Sequence, residues 1–173
     1  SMQSLYQTNG QFLGDEFRRR PVDFNGDGYD EFFTTREGGQ YDKLQIYYGG
    51  EEFDTIPDWE KSYAANLYGF GRSSTGYDLN GDGIGDLLFK YSLDRTPHWD
   101  IFLGGEEMDT IPALSFNETD FPAPRGGSPE MDEGFCMLPD INGDGYDDWG
   151  IWWYAHRDED HYDGFYIFFG GEE

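Results

Sequence analysis

Basic residues are scarce in this chain of 173 residues: Lys and Arg total 11 against 36 Asp and Glu, a formal net charge of −25. Nucleic acid and anionic membrane surfaces both need a cationic face, so neither is expected as a partner. Cys136 is the lone cysteine, which excludes an internal disulfide and leaves the redox compartment unread. It reads as a small buried apolar residue rather than a nucleophile. No apolar run approaches the roughly 18 residues that mark a membrane-spanning helix, so membrane insertion is not expected. Histidines are few as well (His98, His156 and His161), and neither H-E-x-x-H nor G-x-S-x-G occurs. With carboxylates everywhere and no nucleophile–base pattern, the chain reads as non-catalytic. No signal-peptide pattern is read in the opening residues, which says little because Ser1-Met2 reads as a tag remnant and the natural N-terminus is expected to lie elsewhere.

What the chain has in abundance is aromatic side chains, 19% of residues, together with 25 glycines. The aromatics can fill a core at this length, and the glycines punctuate many short segments, which makes all-β the expected class.

One nine-residue loop occurs three times: Asp23-Phe-Asn-Gly-Asp-Gly-Tyr-Asp-Glu31, Asp78-Leu-Asn-Gly-Asp-Gly-Ile-Gly-Asp86 and Asp140-Ile-Asn-Gly-Asp-Gly-Tyr-Asp-Asp148. Each carries side-chain oxygens at positions 1, 3, 5 and 9: Asp23, Asn25, Asp27 and Glu31; Asp78, Asn80, Asp82 and Asp86; Asp140, Asn142, Asp144 and Asp148. Position 7 (Tyr29, Ile84, Tyr146) has a carbonyl that can turn inward, and position 6 is glycine. Such an oxygen set suits a hard cation. Calcium takes six to eight oxygens at about 2.3–2.6 Å in irregular geometry, whereas magnesium demands a tight octahedron, so three structural Ca2+ sites are expected. Asn-Gly and Asp-Gly also mark plain hairpin turns, but a turn needs no acidic residue at both ends. The EF-hand loop shares the early positions and closes with a bidentate acid at position 12; here position 12 is Thr34, Phe89 and Ile151. Eleven acidic residues lie in the three loops, and three divalent ions would bring the charge only from −25 to −19.

The repeat extends past the loops. Short apolar runs follow each one (Phe32–Thr35, Leu87–Tyr91, Trp149–Trp153), as expected for strands covered on both faces. Alternating segments come next, with Leu44, Ile46 and Tyr48, then Trp99, Ile101 and Leu103, then Phe165, Ile167 and Phe169 on one face, and period two means strand. Each ends in Gly-Gly-Glu-Glu, and the first two continue through Asp-Thr-Ile-Pro into an outer strand such as Asp58–Tyr63. The third unit stops inside that turn, and the segment Ser4–Phe12 is a candidate for the strand it lacks. The loops begin 55 and 62 residues apart, a period in the range of propeller blades. Three units over approximately 13–63, 64–116 and 117–173 follow, each expected to be a four-stranded antiparallel blade. The longer segment Pro122–Pro129 and the hairpin tip His156–Asp163 are insertions that read either as part of a binding face or, no less readily, as tolerated surface length variation.

The three D-x-N-G-D-G-x-x-[D/E] loops, the apolar strand after each, the strands ending in Gly-Gly and the Phe70-Gly71 pair resemble the FG-GAP repeat of integrin α-subunit propellers and of bacterial secreted proteins. The family's Gly-Ala-Pro element is missing from all three repeats. The resemblance implies blades of a calcium-braced β-propeller-type array, either a partial propeller or a ring completed by further repeats or by homo-oligomerisation. It also implies a secreted or cell-surface module for adhesion or for binding an extracellular protein or glycan. The second reading is a carbohydrate-binding accessory of a secreted polysaccharide-active enzyme, with Trp99, Trp152, Trp153 and Tyr154 as stacking platforms, although aromatics at strand positions are more often core. Asn117-Glu-Thr119 also fits an N-glycosylation acceptor.

Overall fold

A computed structural model describes residues 22–36, 40–64, 67, 75–121, 135–157 and 160–171. They form three antiparallel sheets. The first holds β1 (Phe32–Arg36), β2 (Tyr41–Tyr47) and β3 (Trp59–Ala64). The second holds β4 (Thr75–Tyr77), β5 (Asp86–Leu93), β6 (Thr96–Phe102) and β7 (Leu114–Asn117). The third holds β8 (Phe135–Leu138), β9 (Asp148–Arg157) and β10 (Asp160–Phe168). Every strand pairs with its neighbour in sequence, so each sheet is an open meander. The all-β expectation therefore holds, and the repeated loop joins the first strand to the second in the second and third sheets.

Four strands per unit are present in the second sheet alone among the described residues. In the first unit the strand expected up to Val22 contributes a single bridge, Val22 to Glu31. The rest of that segment, Ser4–Phe12, Phe70-Gly71 and Pro122–Pro129 lie outside the described residues. A two-residue turn at Asp94-Arg95, both with positive φ (52° and 70°), closes β5 onto β6, the geometry that matches the twist of a hairpin. Asn117 ends β7 and caps a 3-10 turn at Glu118–Asp120, its side-chain oxygen accepting from the Thr119 backbone N–H and hydroxyl at 2.9 and 2.6 Å. The glycosylation-like triplet is thus a local cap.

The second sheet lies between the other two, which explains its continuous apolar strands. Leu87, Phe89 and Phe102 on one face pack with Phe24, Leu44, Ile46, Trp59 and Tyr63 of the first unit. Leu88, Trp99 and Ile101 on the other face pack with Trp149 and Ile151. Alternation sends successive β5 residues to opposite cores. Trp149 and Phe168 stack at 3.9 Å between centroids, and Phe116 lies over both. Among the described residues no helix is long and apolar enough to cross a membrane.

Polar pairs lock the first sheet to the second. Trp59 Nε1 donates to the Met108 carbonyl at 3.0 Å and Lys61 Nζ to the Thr110 carbonyl at 2.8 Å. In the middle of that interface the buried Asp100 carboxylate accepts from the Tyr63 hydroxyl at 2.8 Å and from Ser115 Oγ at 2.7 Å. Register places Ser115 directly opposite Asp100, so β6 and β7 bring the acceptor and one donor together.

Burial and the Asp100 charge hold the Tyr63 phenol far above its usual value, and the same two causes push Tyr91 up to about 12. Both folded values are raised, so the stabilisation is complete below the unfolded value of about 10 and is lost as pH rises through the folded one. The urea midpoint should accordingly fall as pH climbs above about 10, with a shallower fall in Tyr63→Phe. At pH near 8 that variant should lose about 1–3 kcal/mol, because Asp100 stays buried with one donor removed. A variant as stable as the parent there would contradict this account of the interface.

A candidate metal centre in three repeated loops

Within each loop the side-chain oxygens are turned inward by the loop's own backbone. The two oxygens of Asp23 accept the N–H groups of Gly26 and Gly28 at 2.6 and 2.8 Å. Asn25 accepts from Asp27 N at 2.9 Å and Asp27 from Tyr29 N at 2.8 Å. Asp78, Asn80 and Asp82 repeat the pattern with Gly81, Gly83, Asp82 and Ile84 as donors at 2.7–3.1 Å. Asp140, Asn142 and Asp144 repeat it again with Gly143, Gly145, Asp144 and Tyr146. Positions 4 and 6 must turn sharply to aim these N–H groups. All six glycines there have φ between 76° and 99°, a region that costs an L side chain about 1–2 kcal/mol.

Position 9 does something the sequence reading missed. Glu31, Asp86 and Asp148 are buried, and each carboxylate accepts two backbone N–H groups from different segments. One comes from position 2 of its own loop, namely Phe24 at 2.5 Å, Leu79 at 2.7 Å and Ile141 at 2.8 Å. The other comes from the first glycine after the alternating strand, namely Gly49 at 3.2 Å, Gly104 at 2.8 Å and Gly170 at 3.0 Å. That glycine touches the carbonyl of loop position 8: an added Cβ would lie 2.5 Å from Asp30 O, 2.2 Å from Gly85 O and 2.4 Å from Asp147 O. The recurrence of Gly-Gly was visible in the chain, but not that it serves the loop.

Burial raises the pKa of Glu31 and, more strongly, that of Asp86, which reaches about 6; the two N–H bonds oppose this, and the charges at positions 1 and 5 reinforce it. Asp140, fully exposed, moves down, mainly through its bond from the Gly145 N–H.

Oxygens bound around one calcium lie at most about 5 Å apart, twice the ion–oxygen distance. One oxygen each from Asp23, Asp27 and Glu31 lie within 4.8 Å of one another, which fits. Among the described residues this is the acidic triple so drawn together. The extra methylene of Glu31 brings its carboxylate within reach of positions 1 and 5, whereas Asp86 and Asp148 keep the same backbone bonds without forming such a triple. Asn25, Asn80 and Asn142 lie in the same cages, each donating Nδ2 to the position-5 carboxylate at 2.7–3.1 Å.

Successive loops touch. Gly85 N of the second loop donates to Asp23 O at 2.7 Å and Gly105 N of the Gly-Gly corner after β6 to Phe24 O at 2.9 Å, joining the second unit to the first loop. The position-7 side chain of each later loop covers the position-4 glycine of the loop before. A Cβ on Gly26 would meet Ile84 Cδ1 at 3.0 Å, and one on Gly81 would meet Tyr146 Cδ1 at 2.4 Å.

The remaining candidates are dispersed. His98 stacks on Tyr91, and the side chains of Tyr154, His156 and His161 lie outside the described residues. Half-buried Cys136 has its thiol pushed up by burial, the wrong direction for a nucleophile. Of the aromatics considered as sugar platforms, Trp99 is buried and Trp153 packs on the second core, while Trp152 is exposed.

The chain matches no known family model and no curated protein, so its resemblance to a family rests on the loop motif and its surroundings.

Two substitution series separate scaffold from cage. In excess chelator Asp86→Ala should cost about 2–5 kcal/mol by stranding two N–H groups in a buried site, whereas Asp27→Asn should change stability by less than about 1 kcal/mol. Equal losses would mean that position 9 is no strut. Gly81→Ala and Gly143→Ala pay the same positive-φ cost, but only the first strikes Tyr146, so it should cost at least about 1 kcal/mol more in a denaturant melt.

Proposed function

We propose that this chain is a non-catalytic extracellular module of the FG-GAP type, in which three loops bind structural calcium and brace stacked four-stranded blades of a propeller-type array. The observation that carries the reading is the Asp23–Asp27–Glu31 triple with its oxygens within 4.8 Å. Repetition of the same backbone-aimed oxygens in the other two loops supports extending it to them.

In the first two loops burial, reinforced by the charges at positions 1 and 5, raises the pKa of the position-9 carboxylate, so folding works against keeping it charged. A divalent cation relieves that cost, and because the unfolded chain holds no such cage, binding is coupled to folding. Asp23, Asn25, Asp27 and Glu31 would hold the ion in the first loop, with Asp78, Asn80, Asp82 and Asp86, and Asp140, Asn142, Asp144 and Asp148, in the others. The carbonyls of Tyr29, Ile84 and Tyr146 would complete each set. Adhesion or capture of an extracellular protein fits such a braced scaffold better than the carbohydrate-accessory reading, since Trp99 and Trp153 are committed to packing and leave Trp152 as the one exposed tryptophan of the three.

Millimolar calcium should raise the melting temperature well above its value in chelator, with magnesium doing far less. Asp27→Asn, Asp82→Asn and Asp144→Asn should each remove one binding event in calorimetric titration. Identical melts in calcium and chelator would overturn the proposal.

A further inference from the structure

The outer face of the third sheet carries a run of exposed apolar side chains. Register puts Ile167 opposite Gly150 and Phe165 opposite Trp152, on the side of the sheet away from Trp149 and Phe168, which pack on the second core. Ile167 is 48% exposed and Trp152 45%, and beside them Phe169 is 62% and Ile141 50% exposed. A soluble chain seldom leaves so many large apolar groups together without a use for them.

The residues covering the corresponding face of the earlier sheets say what fits there. The position-2 residue of a loop (Phe24, Leu79) and the strand face beside it (Leu44 and Ile46, then Trp99 and Ile101) are covered each time by the opposite face of the next sheet. The position-7 side chain of that next sheet's loop seats on the position-4 glycine, Ile84 on Gly26 and Tyr146 on Gly81. The third unit repeats the receiving half: Ile141 at position 2, Phe165 and Ile167 on the strand, and Gly143 with nothing within 4 Å of an added Cβ. The first unit repeats the inserting half: Tyr29 at position 7 is 46% exposed, and Phe32, stacked on Tyr47 and touching Phe53, stands where Leu87 and Trp149 stand in the later sheets. Thr34 and Gln45, farther along that face, are already buried within the chain, so contact would be made at its loop end.

We propose that the outer face of the third sheet binds a second copy of this chain head to tail, with Tyr29 of one copy seated on Gly143 of the other and its Phe32 against Ile141 and Ile167. The contact continues an interface that the chain already makes twice internally. Such a contact is heterologous, joining two different surfaces, and so propagates to a ring or a filament rather than stopping at a symmetric pair. It does not depend on calcium being the bound ion. The charge of −25 on each copy opposes it, so salt should strengthen association.

Sedimentation velocity on the whole chain, from micromolar to sub-millimolar concentration in moderate salt, should show reversible association. Ile167→Lys blocks the receiving face and Tyr29→Lys the inserting one. Each variant alone should be monomeric, and mixing the two should restore a one-to-one dimer, since each keeps one intact half. In the parent chain, Cys136, which register places on the outer face opposite Gly150, should react more slowly with a thiol reagent as concentration rises. A parent chain that stays monomeric throughout would overturn the proposal. So would a Tyr29→Lys variant that still dimerises while Ile167→Lys does not, because that result means two third sheets meeting face to face.

Discussion

A buried carboxylate that accepts one backbone N–H from its own loop and another from the end of a distant strand is the constraint on which the rest of this structure depends. It occurs three times, with Glu31, Asp86 and Asp148. Burying a carboxylate is expensive unless its oxygens are satisfied. The two N–H groups satisfy it only when the loop has closed and the alternating strand has returned to the same place. Each such residue therefore makes closure of the loop and formation of its sheet a single event.

From that pin the geometry spreads outward. The loop's first three oxygens are aimed by its own N–H groups, which converge because positions 4 and 6 adopt positive φ. The Gly-Gly corner brings the strand end against the position-8 carbonyl at a distance no side chain tolerates. Sheets then stack through their loop ends, where Gly85 and Gly105 donate to carbonyls of the preceding loop, and through two aromatic cores farther along. Negative charge concentrates where the sheets are joined, so a cation bound there would act on the packing of neighbouring units as well as on its own loop.

Asp100 and Gln45 follow the same logic of satisfaction. Asp100 would be a liability between two sheets, yet Tyr63 and Ser115 meet both of its oxygens. Gln45 Nε2 donates to Glu60 at 2.7 Å on the outer face of the first sheet, where Lys43 pairs with the same carboxylate. Phe116, Trp149 and Phe168 form a stacked group between the second and third sheets, which commits these three aromatic side chains to packing.

Much of this was legible in the chain because it depends on neighbours in sequence. Period-two alternation from Lys43 to Tyr48 and from His98 to Leu103, and the apolar runs after each loop, mark the strands found there, since a strand's faces are set by its own residues. The oxygen spacing from Asp23 to Glu31 marks the acidic triple found there, because nine residues are enough to bring those oxygens together. Tertiary contact alone decided that position 9 is a strut, because its second donor lies 18 to 22 residues away. It likewise decided that Gly26 and Gly81 are seats for Ile84 and Tyr146 while Gly143, identical in its loop, is open. Local sequence specifies which atoms a loop can offer; which of them are used depends on what the folded chain brings against them, and that differs between three copies of one motif.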